Sequence, residues 1–493
     1  MKRLALFLSG LATLVVTLGA AAPSPPSSEP YVLIVTLESE RSLGNGVLDR
    51  FLESSSTPVA ARAALAIGRT KRAEGEPALA AHLHDRRDAV RAMSVYAIGL
   101  LATGERSQAL IGALRDPSGA VRVAAVDALA RYRVAKRLTN EGEPRVQAAI
   151  ETAMARDVSP IVRARAATAL VEFKDGTRVS EAADALSIAF ATDADAAVRW
   201  HALWTIYRGF ATNVSRRLVM SALNDRDELV RIEAVRAMSR YKDRSLVAIV
   251  HPLLDDPSWR VQEQAAETIR VLSGKPLDDH WTSIPSFVHL PPAQSDPLAI
   301  LPALQAVVPG KPSAPRPSQA IFSPPLQPST AAGMTSPARG LHPRVRIVTT
   351  KGNVYVALYP EWAPLTVANF LHLAAIGYYD NNRWFRIVPD FVVQTGDPHD
   401  NGNGDAGYTI GAEENPLEQR SFVISMGMNY DDKTRTPIRD SAGTQYYVTL
   451  SPQLHLDRDF TVFGEMVSGF DVLARLVEKD RVVRVERIAD VRI

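Results

Sequence analysis

The sequence predicts a multidomain protein, with an all-α solenoid followed by a closed antiparallel β-barrel that is capped by helices. Three observations support this prediction. A helical pattern repeats through residues 43–273, the composition becomes proline-rich over residues 274–342, and short alternating strands with glycine turns fill residues 343–493. A chain of 493 residues is also too long to form one compact core.

Composition and charge exclude several classes of function. Lys and Arg total 56 against 54 Asp and Glu, and the two signs are mixed along the chain, so no nucleic-acid partner is expected. The chain contains no cysteine, which excludes disulfides, thiol catalysis and an acylated lipoprotein cysteine.

The first 22 residues have the pattern of a secretory signal peptide. Lys2 and Arg3 form its positive region, residues 4–18 its apolar region, and the small residues 19–22 offer a cleavage site. An uncleaved anchor is the alternative interpretation, because the apolar stretch is just long enough to span a bilayer. No later segment is as long and apolar, so we expect a periplasmic or otherwise extracytoplasmic protein with no membrane span after signal cleavage.

The internal repeat consists of a turn with Asp or Pro, then Val-Arg or a near equivalent, then small residues at helical spacing. In one copy Asp116 and Pro117 precede Val121 and Arg122, and spaced alanines follow. The equivalent arginines of the five good copies lie 41, 36, 32 and 29 positions apart, and they are Arg122, Arg163, Arg199, Arg231 and Arg260. Weaker copies centre on Arg62 and Arg91.

This period is typical of stacked helix pairs, in which alanines let neighbouring helices approach closely. The pattern resembles HEAT and HEAT-like repeats, with about seven units. The resemblance implies an extended surface suited to a protein partner, and repeated arginines that pair with acidic residues of the neighbouring repeat. Trp200, Trp204 and Tyr207 share helical spacing and are interpreted as packing residues rather than a binding stripe. Residues 274–342 are interpreted as a Pro-rich linker.

Strand and turn signals organise the last third of the chain. Alternating residues on either side of Gly352 predict a β-hairpin, and Pro364 opens a helix with Val367, Phe370 and Leu371 on its apolar face. A second hairpin is predicted from residues 384–387 and 391–394. Several short strands and two helices within this length indicate a closed antiparallel barrel.

One segment of the barrel carries a distinctive motif. The string WFRIVPDFVVQTGD at residues 384–397 resembles the signature of cyclophilin-type peptidyl-prolyl cis-trans isomerases. Further matches follow the family's order at residues 364–370, 407–410, 422–427, 443–448 and 455–464. Several ordered motifs make the resemblance specific. It implies a cyclophilin-like barrel, a proline-containing polypeptide as substrate, and the isomerisation of X–Pro bonds.

This reaction explains the residue types in the motif. An X–Pro bond resists rotation with a barrier of roughly 18–20 kcal/mol, because the nitrogen lone pair is delocalised into the carbonyl. An enzyme lowers the barrier by favouring the twisted bond, whose nitrogen accepts a hydrogen bond. A guanidinium is always charged and donates in a rigid fork. The resemblance assigns this role to Arg386, with Gln394 and Phe391 as its catalytic partners.

The resemblance also implies the substrate-binding residues. These are predicted to line the proline pocket or to bind the flanking peptide, and they are Val392, Gly427, Gln445, Tyr447, Leu456, Phe460 and His455. A barrel-core role for Phe391 and Leu456, and a surface ion pair for Arg386, are the structural alternatives. His372, His399 and His455 have no metal-ligand spacing, so neither a metal nor another cofactor is expected.

The chain departs from the family pattern in several places. Phe385 replaces the usual His, Val392 replaces Met, and His455 stands where many members have Trp. Met428 stands where members place a peptide-binding Asn. Residues 429–442 form a longer loop than usual beside the expected groove, and this loop is a candidate for gating or for substrate choice.

The leading hypothesis is a peptidyl-prolyl isomerase that acts on exported proteins, with the solenoid recruiting clients or partners. The alternative is a catalytically weak or inactive scaffold or binding protein of the cell envelope. A lyase or nucleic-acid function led by the repeats is a third, and the charge balance argues against it.

Overall fold

The computed structural model describes residues 29–274 and 341–492, apart from the single positions 389, 403, 432, 434 and 435. The predicted signal peptide at residues 1–22 lies outside the described residues, as does the predicted linker except for its ends. Helix α1 (Glu29–Ser39) precedes the repeats and packs against the helix at residues 57–70.

The N-terminal region is a helical solenoid. Successive helices that follow the repeated turns pack side by side and are called the inner helices here: α3 (Thr57–Thr70), α5 (Asp88–Leu101), α7 (Gly119–Val134), α9 (Pro160–Ala169), α11 (Ala196–Thr205), α13 (Glu228–Met238) and α15 (Trp259–Ser273). A second row packs against them: α2 (Val47–Leu52), α4 (Glu76–Ala81), α6 (Ser107–Ala113), α8 (Gly142–Arg156), α10 (Val179–Thr192), α12 (Arg216–Ser221) and α14 (Val247–Val250). The predicted HEAT architecture is confirmed.

Small residues bring the inner helices close together. A Cβ atom added at Gly68 would lie 2.7 Å from Ala97 on the next inner helix, and one at Gly99 would lie 2.6 Å from Ala128. The glycines therefore set the helix spacing, because no side chain fits between these backbones. Trp200 and Trp204 are both buried, as expected for packing residues.

The repeated arginines join successive repeats, as the resemblance implied. In each pair, Nε and Nη2 of an arginine donate to both carboxylate oxygens of the next repeat's Asp. The pairs are Arg91–Asp116, Arg122–Asp157, Arg163–Asp193, Arg199–Asp225 and Arg231–Asp256. Each arginine also donates to a carbonyl in its own repeat's turn, for example Arg163 to Asp157 O at 2.8 Å. Bidentate, charge-assisted bonds of this kind fix the register between repeats.

The C-terminal region is an antiparallel sheet of eight described strands. They are β1 (Leu341–Thr349), β2 (Gly352–Leu358), β3 (Arg386–Val388), β4 (Val392–Thr395), β5 (Val423–Met426), β6 (Tyr446–Thr449), β7 (Val462–Ser468) and β8 (Val482–Arg492). Their order is β3-β4-β6-β5-β7-β2-β1-β8. The two ends of the sheet meet where Trp384 N donates to Asp480 O and Val482 N donates to Asn382 O. The predicted antiparallel barrel is confirmed.

Helices α16 (Pro364–Ala375) and α17 (Phe470–Ala474) pack on the sheet. Pro364 stands in the first turn of α16, where no amide hydrogen is needed. The carboxylate of Glu413 accepts hydrogen bonds from the N–H groups of Leu365 and Thr366 at 3.0 and 2.8 Å, which satisfies the start of this helix. Phe370 then buries its ring in the barrel core.

The barrel lies against the inner helices of the solenoid. Residues 412–419, which include three glutamates, form an irregular segment that is buried between the two domains. Arg69 on α3 donates to the carbonyls of Glu414 and Trp362, each at 2.7 Å. Arg165 on α9 pairs with Glu418 at 3.1 Å. The solenoid thus presents guanidinium groups to a buried acidic and carbonyl-rich face of the barrel, and hydrogen bonding offsets the desolvation of those groups.

Across residues 29–274 and 341–492, no helix combines the length and the apolarity that crossing a bilayer requires.

Candidate active site

The hairpin of β3 and β4 creates the centre of the site. Antiparallel pairing puts Arg386 directly opposite Gln394, and Arg386 Nη1 donates to Gln394 Oε1 at 3.2 Å. Gln394 Nε2 in turn donates to Gln445 Oε1 at 3.0 Å. Arg386 remains exposed to solvent, so the amide of Gln394 orients a guanidinium that is still open to a ligand.

An apolar pocket lies beside this pair. Four of the predicted substrate-binding residues form one buried cluster, and they are Val392, Tyr447, Leu456 and Phe460. Phe391 and Met428 are partly buried and pack against the cluster. Residues far apart in the chain meet here because β4 pairs with β6, which places Val392 and Gln394 opposite Thr449 and Tyr447.

Aromatic rings define the walls of the pocket. Phe391 stacks on His455 with ring centroids 5.8 Å apart, and Tyr447 meets Phe460 edge to face at 5.9 Å. The guanidinium carbon of Arg386 lies 5.3 Å from the centre of the Phe391 ring. A cation over an aromatic face is attracted to it, so Phe391 helps to hold Arg386 at the mouth of the pocket.

Gly427 and Gln445, which were also predicted to bind substrate, make hydrogen bonds within the domain. The N–H of Gly427 donates to Gln445 O at 2.8 Å. Gln445 Nε2 donates to Gly402 O at 2.9 Å and to Gly404 O at 3.2 Å. The side chain of Gln445 therefore links Gln394 to the backbone carbonyls of Gly402 and Gly404.

Electrostatics keep the pocket uncharged. Burial raises the pKa of Tyr447 well above its usual value, so its hydroxyl stays neutral. The His455 residue is exposed to solvent, although protein atoms surround part of its ring. Burial of its ring and the nearby solenoid residues Arg208 and Arg236 lower the pKa of His455 to about 4. An uncharged imidazole and phenol suit a site for an apolar proline ring.

Two features of the site were not predicted from the sequence. Tyr430, in the long loop at 429–442, places its ring 6.0 Å from that of Phe460. Asp390 precedes Phe391 with a left-handed φ of 54°, and its Oδ2 accepts a hydrogen bond from Arg236 Nε of the solenoid at 3.1 Å. The loop's unusual length was the sequence signal for Tyr430. No local signal joins Arg236 to Asp390, since 154 positions separate them.

Comparisons with known proteins agree with this geometry. The family model for cyclophilin type peptidyl-prolyl cis-trans isomerases matches residues 344–493. The HEAT repeat model matches residues 45–130, 107–207 and 216–277.

Individual relatives match the barrel domain. Peptidyl-prolyl cis-trans isomerase B of Bacillus subtilis is 40% identical over 133 residues, which cover 26% of this chain and 87% of the relative. Peptidyl-prolyl cis-trans isomerase CYP18-2 of Arabidopsis thaliana is 34% identical over 148 residues, which cover 29% of this chain and 85% of the relative. A solved cyclophilin-type isomerase structure from Cryptosporidium parvum aligns at 26% identity over 30% of this chain and 98% of its own, with a TM-score of 0.28.

The barrel, the ordered motifs and the family match lead to one identification: this chain belongs to the cyclophilin-type peptidyl-prolyl cis-trans isomerases and carries its isomerase domain behind a region of HEAT repeats.

Proposed function

We propose that this isomerase acts on X–Pro bonds of exported proteins and that Arg386 is its principal catalytic residue. The observation that carries the proposal is the Arg386–Gln394 pair, whose atoms lie 3.2 Å apart at the mouth of an apolar pocket. A charged donor beside a site for the proline ring is what the twisted bond requires.

In this proposal the proline ring enters the pocket between Phe391, Tyr447 and Phe460. As the bond twists, its nitrogen regains its lone pair, and Arg386 donates a hydrogen bond to it. Gln394 holds the guanidinium at the required angle, so little reorganisation is needed during the reaction. The untwisted bond has no free lone pair on its nitrogen, so the interaction favours the transition state over the ground state.

The extracytoplasmic location rests on the signal-peptide pattern of residues 1–22. A fusion of those residues to a reporter that is active only outside the cytoplasm tests it. Reporter activity, lost when Lys2 and Arg3 are both replaced by Glu, is the expected result. Equal activity with and without residues 1–22 would contradict export by this segment.

The HEAT solenoid has a proposed role in engaging clients or partners. Its inner helices already bind the barrel through Arg69 and Arg165. The surfaces left for a partner are the second row of helices and the edge beside the pocket. That edge includes α13 and the turn after α11, since Arg236 on α13 bonds to Asp390 and Arg208 lies near His455. A client bound there would lie close to Arg386.

Refolding of an exported client whose slow phase is limited by a cis X–Pro bond tests the proposal. The full chain should accelerate that phase, and Arg386→Ala should remove the acceleration. The control Arg475→Ala alters a partly buried ion pair with Asp471 at the end of α17, outside the proposed site, and should accelerate refolding as the wild-type chain does. No acceleration of the slow phase by the wild-type chain would contradict a foldase role.

A catalytically weak envelope scaffold is the second candidate. It is favoured by the altered rim, where Met428 packs against the pocket and Tyr430 lies beside Phe460. In that case peptides would bind the pocket with measurable affinity. The cis–trans isomerisation of their X–Pro bonds would be equally slow with the wild-type chain and with Arg386→Ala.

A further inference from the structure

A cluster of cations and aromatic rings lies at the edge of the solenoid. Its centre is Tyr207, whose ring lies 4.6 Å from the guanidinium carbon of Arg240 and 6.0 Å from that of Arg236. Arg208 stacks over Trp204 at 5.8 Å. Tyr207 and Arg208 belong to the π-helical turn Ile206–Phe210 that ends α11. Such turns depart from regular α-helix and are frequent at functional sites.

This cluster lies beside the isomerase pocket. Arg236 donates to Asp390 Oδ2 and, at 3.2 Å, to the hydroxyl of Ser451. Asp390 directly precedes Phe391, which stacks on His455. Arg208 is also close enough to His455 to help lower the pKa of that imidazole. Two pocket-wall residues therefore border the solenoid edge.

The cations of the cluster are not equally compensated. Arg236 is paired with Glu233 at 2.6 Å and with Asp390. Among the carboxylates that the structure describes, by contrast, none lies within ion-pair distance of Arg208 or Arg240. Burial lowers the pKa of the half-buried Arg208. A guanidinium that is partly desolvated without a counter-ion is costly, and a carboxylate from a ligand would remove that cost.

Of the acidic groups nearby, Glu233 attracts Arg208 through space but makes no ion pair with it. Glu233 is bound to Arg236, and burial raises its pKa to about 7. Burial and the nearby Asp390 likewise raise the pKa of Glu263 to about 7. Asp390 itself is bound by Arg236. Arg208 and Arg240 therefore add positive charge to the edge without an ion pair of their own, and Arg208 lies near the pocket residue His455.

We propose that Tyr207, Arg208 and Arg240 form a subsite of the isomerase groove that binds an acidic side chain near the isomerised proline of the substrate. The subsite rests on the proposed function, because it selects among the substrates of that same pocket. Arg208 and Arg240 pair with the carboxylate, and Tyr207 packs against the peptide. The solenoid thus contributes specificity for acidic proline-containing segments.

Synthetic peptides test this subsite with the full chain. Each carries one Ala-Pro bond and has Glu, Gln or Lys two residues before or after it, and both kcat/KM and the calorimetric Kd are measured. We expect the wild-type chain to prefer Glu over Lys by about 3- to 10-fold on one side of the proline. The preference should shrink when NaCl rises from about 50 to 500 mM.

Charge reversal supplies the decisive variants. Arg208→Glu with Arg240→Glu should invert the preference, whereas Arg156→Glu, on the exposed end of α8, should retain it. Arg240→Glu alone should at least halve the preference for Glu over Lys peptides. Because Arg240 is exposed, this single variant can be measured even if the double variant misfolds. A Glu-to-Lys ratio that is unchanged in a folded variant would overturn the subsite. The Kd ratios decide this even if no peptide is turned over, so failure of catalysis and failure of the subsite are distinguishable.

Discussion

Arg236 of the solenoid donates from Nε to Oδ2 of Asp390 at 3.1 Å, and its Nη2 bonds to the same oxygen. Asp390 is the residue before Phe391 in the isomerase pocket. One guanidinium thus connects a HEAT repeat to the wall of the pocket. The solenoid is therefore part of the structural surroundings of the site.

Removal of this guanidinium should destabilise the chain strongly. Arg236→Met leaves Glu233 and Asp390 without their shared partner, and uncompensated buried charge costs about 3–5 kcal/mol. Urea unfolding of the full chain measures the loss. Arg270→Ala removes an exposed pair with Glu267 and should change the free energy of unfolding by less than about 1 kcal/mol. Equal, small losses in both variants would contradict a structural role for Arg236.

The pair between repeats at Arg163 and Asp193 should stabilise the solenoid. Arg163 makes two bonds to that carboxylate, at 2.7 and 2.9 Å. Arg163→Lys cannot reproduce the fork, so we expect a loss of about 1–3 kcal/mol and faster hydrogen exchange in α9 and α11. Arg156→Lys, outside these pairs, is the control. Unchanged exchange in Arg163→Lys would contradict the prediction.

Acid should weaken the interface between the solenoid and the barrel. Burial alone would raise the pKa of Glu38, but Arg62 and Arg69 lower it to about 2. Glu38 also pairs at 2.9 Å with Arg69, which holds the barrel carbonyls. A carboxylate with a lowered folded pKa stabilises the fold above its unfolded pKa of about 4.3, and this stabilisation is lost as pH falls towards the folded pKa.

Glu38→Gln checks this direction. We expect the free energy of unfolding of this variant to be about 3 kcal/mol lower than that of the wild-type chain at pH 7. This difference should narrow as the pH falls from about 4.5 to 3. Urea unfolding across this range measures both. A gap as wide at pH 3 as at pH 7 would contradict the assigned pKa shift of Glu38.

Tyr430 should affect substrate binding more than turnover. Its ring packs against Phe460 of the pocket wall, so Tyr430→Ala should raise KM about 3- to 10-fold and leave kcat within about twofold. Ile438→Ala, an exposed change in the same loop, is the control. A fall in kcat with unchanged KM would contradict this assignment.

Much of the fold could be predicted because its signals are local. The Asp and Arg of each repeat lie in one short motif, and only eight positions separate Arg386 from Gln394 in their hairpin. The docking of the two domains could not be predicted in this way. Arg69 and Arg165 look like ordinary charged residues of amphipathic helices, and their barrel partners stand 345 and 251 positions away.

The clustering of several candidate site residues could be predicted, while their catalytic and binding roles stay predictions. Val392, Tyr447, Leu456 and Phe460 carry motif positions, and they meet in one cluster. Tyr430 and Asp390 gain their places from the loop conformation and from the solenoid, which no single motif encodes. Tertiary contacts therefore decide that Tyr430 and Asp390 lie beside the pocket.

Arg386 is proposed to lower the barrier to X–Pro rotation. Magnetisation-exchange NMR on an Ala-Pro peptide measures the cis–trans rate directly, with the wild-type full chain, Arg386→Ala, Arg386→Lys and Gln394→Ala compared at equal concentration. We expect fast exchange with the wild-type chain, a loss of at least about 100-fold in kcat for Arg386→Ala, incomplete rescue by Lys and a smaller loss for Gln394→Ala. Wild-type exchange no faster than in buffer would show that the chain does not catalyse the rotation, and equal rates with and without the Arg386 guanidinium would show that Arg386 is not the catalytic residue.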